Sequence, residues 1–265
     1  MRHTIGIIDS GVGGLTVVRS LVARGAPFDV VYVGDNANMP YGNRPAGEIV
    51  RLSLRMLKLL SEYHVEAVAI ACNTISATVD QLRTRCSVPL VDIITPAAAA
   101  LARRGELDVG LFATEFTVKS GIHAKRVREL NPAVTVHGVA SPRLAALIDR
   151  AIDDEAAIRD EIAAMLERLT AMHPVKTVLL GCTHYPIVMN IFTSLAPGIE
   201  FIDPADLQAD AVLRLFSSWG GGRCDAESAS APSLDLVTSG NPESYRPIMA
   251  RLEIPEARSI RRLEA

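Results

Sequence analysis

The sequence predicts an α/β protein made of two pseudo-symmetric α/β domains with mostly parallel sheets and an active site in the interdomain cleft. Short runs of β-branched and apolar residues alternate with amphipathic stretches of helical period, the pattern of βα units. Two of those runs, VEAVAIACNT at 65–74 and VKTVLLGCTHYP at 175–186, match position for position. Val65/Val175, Val68/Val178, Ile70/Leu180, Ala71/Gly181 and Cys72/Cys182 all pair at one constant offset. With 49% hydrophobic residues over a length of 265, the chain can bury one large core or two domains of about 100–150 residues each.

The first strand is expected at 4–8, leading through Asp9-Ser10-Gly11-Val12-Gly13-Gly14 into a helix. Its Leu15, Val18, Leu21 and Val22 recur at helical spacing up to a stop at Arg24-Gly25. The glycine loop matches neither G-x-G-x-x-G nor a P-loop, and Asp9 before it would repel phosphate. Glycines serving a tight strand-to-helix turn are therefore preferred to a dinucleotide site. A second strand at 28–33 precedes the polar, turn-rich segment 34–42, read as a lid or substrate loop. Ile49, Leu52, Met56, Leu59, Leu60 and Tyr63 mark an amphipathic helix feeding the first cysteine strand. A short helix to about Cys86, which is read as packing or sitting at the helix end and is assigned no chemistry, and a strand at 89–94 complete this half.

Thr95-Pro96 reads as an N-cap followed by proline at the first helical position, with the helix ending near Gly105. The pattern then recurs: 109–113 parallels 5–9, Thr117-Val118 parallels Thr16-Val17, and 134–139 parallels the second strand. Ile158, Ile162, Met165, Leu166 and Leu169 form a long helix with Asp153, Asp154 and Glu155 at its positive end, and the second cysteine strand follows. Beyond Asp203-Pro204 a helix runs to about Ser218, then an exposed Gly/Ala/Ser-rich connection at 220–233. A final strand (234–238) and helix (242–252) cannot bury themselves alone, so they are expected against the first half. The domains are then 1–94 with 206–265, and 95–205.

A net charge of −3 gives no reason to expect nucleic acid or an anionic membrane as partner. The N-terminal MRHTIGIIDSG lacks a signal-peptide apolar core, and no apolar run approaches the ~20 residues of a membrane span. A cytoplasmic protein is expected, with its four cysteines as free thiols. No C-x-x-C or His pair has metal-ligand spacing, and none of Lys58, Lys119, Lys125 and Lys176 lies in a Schiff-base motif. Neither a metal nor a cofactor is expected.

A strand-end cysteine that opens a helix lies near backbone N–H donors, which lower a thiol pKa from about 8.5 toward neutral. One such thiol would suggest covalent catalysis, but no Cys-His-Asn protease signature surrounds either residue. Two in quasi-symmetric halves suggest a cleft with one thiol on each face of a ligand. That suits proton removal from one face of a carbon and delivery to the other, inverting a stereocentre. Ser10, Asn73, Thr74, Thr183 and the loop N–H groups can donate to carboxylates, while Asp9 can accept from an ammonium or tune a thiol. His184 either polarises Cys182, holds a carboxylate, or is a strand-end residue satisfied by its neighbours.

The stretches IGIIDSGVGGLTV, YVGDNANMPYG, ACNT, GCTHYP and LVTSGNPESY closely resemble the glutamate racemases of the aspartate/glutamate racemase family, over nearly the whole chain. The resemblance implies cofactor-independent interconversion of L- and D-glutamate, supplying D-glutamate for peptidoglycan, by an enzyme that is commonly a homodimer. It carries the catalytic role to Cys72 and Cys182, and substrate-contacting or supporting roles to Asp9, Ser10, Tyr41, Gly42, Asn73, Thr74, Thr183 and His184. Two departures stand out. Asp149 occupies the position of a family glutamate. The segment 113–117 lacks the usual glycine before its first threonine, so Thr114 and Thr117 are left outside the expected site. Aspartate or hydantoin racemisation is the nearest rival, and pocket size would decide. A nucleotide-binding oxidoreductase using the glycine turn is the rival from another enzyme class. A binding role, such as the DNA gyrase interaction described for some glutamate racemases, is the non-enzymatic one, and no motif here speaks to it.

Overall fold

The computed structural model describes residues 2–150, 152–219 and 232–263. Cys224 and all but the last two residues of the connection expected at 220–233 lie outside them. In chain order the strands are β1 (Thr4–Asp9), β2 (Asp29–Gly34), β3 (Ala67–Ile70), β4 (Leu90–Asp92), β5 (Asp108–Ala113), β6 (Thr135–Ala140), β7 (Thr177–Gly181), β8 (Glu200–Ile202), β9 (Leu234–Thr238) and β10 (Ser259–Arg262). They form a six-stranded sheet in the order β10-β9-β2-β1-β3-β4 and a four-stranded sheet in the order β6-β5-β7-β8, with parallel pairing throughout.

The order β2-β1-β3-β4 in one sheet repeats as β6-β5-β7-β8 in the other, the physical form of the repeat read in the sequence. Ile7 on β1 faces Tyr32 and Ala69, while Leu111 on β5 faces Gly138 and Leu179. The cysteine strands β3 and β7 take equivalent places, and their near-continuous apolar runs reflect burial on both faces. The first sheet then gains β9, paired with β2 through Tyr32 and Leu236, and β10 at its edge.

One apolar cluster runs through both halves, including Phe28, Tyr32, Ile94, Phe112, Met165, Phe192 and Phe216. The helix Pro204–Ser218, capped by Asp203, buries Ala205, Ala209, Val212 and Phe216. It is tied back to the first half by Arg19 on Asp203 at 2.7 Å and by Arg24 on Asp206 and Asp210. Among the described residues no helix is long and apolar enough to cross a membrane.

Several local expectations need correction. The helix expected to start at Thr95 begins earlier, at Ile94–Ala102, because the Asp92 carboxylate accepts from both the N–H and the hydroxyl of Thr95. The single helix before Cys86 is two short ones, Asn73–Ser76 and Val79–Arg83, and Cys86 is half-buried just beyond them. Polar helices at Glu115–Ser120 and Ile122–Leu130 fill the segment where the sequence repeat is interrupted.

Candidate active site

In parallel α/β sheets the carboxyl ends of the strands carry the ligand-binding loops, and the two sheets bring theirs together. Ser10 follows β1, Cys72 follows β3, Thr114 follows β5 and Cys182 follows β7. All four line one small cavity with Tyr41, Gly42, Asn73, Thr74, Thr183 and His184. Met39, Pro40 and Ala145 complete the lining. Ser10, Tyr41, Gly42, Asn73, Thr74, Thr183 and His184 thus gather around both cysteines. Asp9 does not reach the lining; it is fully buried, accepting from the Gly11 N–H at 2.9 Å and the Thr183 hydroxyl at 3.1 Å.

Thr114 is the residue the sequence reading left out. It follows β5 as Ser10 follows β1, so the parallel between 109–113 and 5–9 already pointed to it. Its hydroxyl caps the helix Glu115–Ser120 and lies 3.0 Å from both Thr74 Oγ1 and Thr117 Oγ1. Thr74 belongs to the first half and Thr114 and Thr117 to the second, so this trio of hydroxyls joins the halves at the cavity wall. Thr117 is buried behind that wall.

The glycine loop has a packing purpose. A Cβ on Gly13 would lie 2.5 Å from Thr183 Oγ1 and 2.9 Å from the His184 backbone nitrogen. The loop therefore lies directly against the segment that follows Cys182, and Tyr32 fixes it by donating to the Gly11 carbonyl at 2.7 Å. The segment 34–42, read as too polar for core, still buries Met39 and Tyr41. It forms two 3-10 turns, Asn36–Asn38 and Tyr41–Asn43, joined through the cis Met39-Pro40 bond. Tyr41 donates to Asp35 at 2.5 Å, and Gly42 sits so close to Thr114 that a Cβ would meet it at 2.4 Å.

The neighbours of the two thiols differ. Ser10 Oγ lies 3.5 Å from Cys72 Sγ. Burial first, and then the Asp9 charge, push the Cys72 thiol up to about 12, against the Ser10 hydrogen bond and the Ile75 N–H. The expected lowering by helix N–H groups is real but smaller than the cost of a buried sulfur anion. Burial likewise raises Asp9 to about 6, opposed by the His184 charge and by its hydrogen bonds. On the other side, His184 Nδ1 lies 3.9 Å from Cys182 Sγ, and His184 Nε2 donates to Asp149 Oδ1 at 3.4 Å. Burial disfavours the imidazolium, but the hydrogen bonds and charges of Asp149 and Cys182 together outweigh it and hold His184 well above its ordinary pKa. Despite its short side chain, Asp149 therefore reaches the histidine beside Cys182. Among the described residues no lysine or arginine lines the cavity, so hydroxyl, amide and backbone donors, with the His184 imidazolium beside Cys182, face any bound anion. Among the described residues no three of His, Cys, Asp or Glu converge as a metal site.

The family model described as Asp/Glu/Hydantoin racemase matches residues 5–212. The chain belongs to that family. Among similar proteins, a glutamate racemase of Corynebacterium glutamicum is 35% identical over 98% of this chain and 95% of its own length. One from Desulforudis audaxviator is 34% identical over 93% and 92%. Among solved structures, a glutamate racemase isoform of Bacillus anthracis superposes with a TM-score of 0.88 at 28% identity, covering 97% of this chain and 96% of that one. The Francisella tularensis glutamate racemase in complex with D-glutamate superposes at 0.87 with 25% identity, covering 99% and 98%. This amino-acid racemase thus has the two-sheet α/β fold of its relatives, and its cavity opens where the strand ends of the two sheets meet.

Proposed function

We propose that this racemase interconverts L- and D-glutamate without a cofactor, using Cys72 and Cys182 as bases on opposite faces of Cα, and so supplies D-glutamate for peptidoglycan. The observation that carries this reading is that cysteines from equivalent strand ends of a repeated fold line one small cavity. Glutamate is preferred to aspartate because relatives named as glutamate racemases match nearly the full chain at about a third identity. The aspartate racemase of Picrophilus torridus, at 20% identity, shares the fold alone. Sheet membership supports a division into a domain of 1–94 with 206–265 and a second of 95–205.

From D-glutamate, the Cys72 thiolate takes the Cα proton while the Cys182 thiol protonates the opposite face; from L-glutamate the roles reverse. Burial and Asp9 hold the Cys72 thiol up, so that it is protonated at neutral pH before substrate binds. A substrate ammonium arriving beside Ser10 would offset the Asp9 field and favour the thiolate. Charge developing on the α-carboxylate as Cα loses its proton is stabilised by neutral donors already fixed around the cavity, among them Ser10, Thr74, Thr114 and Thr183. His184, held charged by Asp149, can donate toward the Cys182 sulfur when that thiol has given up its proton.

The test is incubation with L-glutamate in heavy water without added cofactor. Optical rotation should decay to zero with deuterium entering at Cα. Cys72→Ser and Cys182→Ser should each abolish racemisation, and either variant turning over near the normal rate rules out the two-thiol scheme.

A further inference from the structure

Asn73 follows Cys72 in the first half, whereas His123 stands at the start of the helix Ile122–Leu130 in the second. His123 is 1% exposed, and its Nε2 lies 3.2 Å from Asn73 Oδ1. His123 Nδ1 and Asn73 Nδ2 are buried and have no hydrogen-bond partner among the described residues. Burial pushes His123 down to about 4, so the ring is neutral near pH 7 and carries a single N–H.

Two arrangements satisfy the contact between these side chains. With the ring proton on Nε2, the histidine donates to Asn73 Oδ1, leaving the amide NH2 to donate elsewhere. With the proton on Nδ1 and the amide reversed, the NH2 is spent on the ring and the carbonyl is left over. The first leaves an imidazole lone pair unpaired and the whole amide NH2 free for a ligand in the cavity that Asn73 lines. The second leaves a buried N–H donor orphaned, which is both rarer and costlier. The hydrogen bond at one ring nitrogen sets which nitrogen carries the proton, so the two side chains fix each other.

We infer that His123 is a positioning residue for the substrate: it orients Asn73 so that the amide donor, not the carbonyl, meets a substrate carboxylate in the cavity. The inference rests on the glutamate reading for the identity of that carboxylate. A reversed amide would set a carbonyl dipole against an anion in a cavity where, among the described lining residues, His184 on the Cys182 side is the one cationic side chain. A histidine that merely fills space would be replaceable by any ring of similar volume; one that donates through Nε2 would not.

Three measurements test this. In the unmutated protein, nitrogen-15 NMR of labelled histidine should show the ring signal that disappears in His123→Gln as the neutral Nε2–H tautomer, unchanged between pH 6 and 8. His123→Phe should raise KM for both glutamate enantiomers about tenfold, with kcat altered less than about threefold. His123→Gln, whose Nε2 can donate to the same oxygen, should return KM to within about threefold of the unmutated value. An Nδ1–H tautomer overturns the inference. So does a folded His123→Phe protein with unchanged KM, or equal losses in the Phe and Gln variants. Absence of glutamate racemisation by the unmutated protein would count against the glutamate reading, and the ring tautomer would still decide this one.

Discussion

Gly13→Ala tests the packing that brings the two halves of the site together. The added methyl would sit 2.5 Å from Thr183 Oγ1, 2.7 Å from His184 Nδ1 and 2.9 Å from the His184 backbone nitrogen, where ordinary contact begins at 3.4 Å. The neighbours must retreat by roughly 0.5–0.9 Å to relieve the overlap. Side-chain rotation can relieve the first two contacts, but the third requires the backbone after Cys182 to move. That shift strains the Thr183 bond to Asp9 and alters the 3.9 Å spacing of Cys182 and His184. Overpacking of this kind costs about 1–3 kcal/mol, and a chain of this size loses about 2–4 °C of Tm per kcal/mol. Displacement of catalytic groups by about 1 Å can lower the rate about 100-fold. The control is Gly47→Ala, exposed in the helix Ala46–Ser61 with nothing within 4 Å of the new Cβ. It should leave activity unchanged and stabilise by up to about 1 kcal/mol. The assays are a thermal melt and racemisation followed in both directions. A Gly13→Ala protein with unaltered Tm and unaltered rates would refute the claim that this loop sets the position of the Cys182 segment.

Three more perturbations probe the electrostatics and the substrate loop. Asp9→Asn removes a charge that raises Cys72, so the Cys72 thiol should titrate below its present value near 12, read from the pH dependence of its alkylation rate. Because folding raises Asp9 from 3.8 to about 6, its contribution to stability is fully present below pH 3.8 and is lost as pH rises through 6. Denaturant unfolding of Asp9→Asn should therefore show a flatter pH dependence over that window, by on the order of 3 kcal/mol; an unchanged slope would refute the assignment. Asp149→Asn keeps a side-chain acceptor but removes the charge, so His184 should lose its proton at lower pH and the alkaline limb of activity should move down with it; NMR titration of His184 checks the first step. Ser239→Ala removes a hydroxyl that donates to Asp35 and accepts from the Ala37 N–H, and should raise KM severalfold with little change in Tm; an unchanged KM would mean the loop needs no hold from the strand end after β9.

The parts legible in the sequence were those whose signal is local. β1, β3, β5 and β7 announce themselves as β-branched apolar runs because both their faces are covered. The helix Glu155–Thr170 is announced by its apolar spacing and by Asp154, which caps it. Two edge strands carried no such signal. β8 reads Glu-Phe-Ile and is only partly buried, while β10 ends in exposed Arg261 and Arg262, charges of the kind that keep a sheet edge from pairing further. The site followed the same rule. Cys72, Cys182 and the hydroxyl and amide residues that line the cavity with them stand out in the sequence by repeat and motif, whereas the ionisation of Cys72 depends on how deeply the fold buries it. His123 was invisible because its role lies in one contact with Asn73, made across the two halves.

The doubled fold presents the same sulfur from two directions but gives each a different companion, a hydroxyl for Cys72 and a charged imidazole for Cys182. A reaction between mirror images has an equilibrium constant of one, whatever catalyst it meets. Unequal companions can therefore give the two enantiomers different maximal rates and different half-saturation concentrations, yet the ratio of the two quantities must come out identical for both. Lopsided chemistry at the strand ends can change how the work is divided between binding and turnover, never the racemic mixture that results.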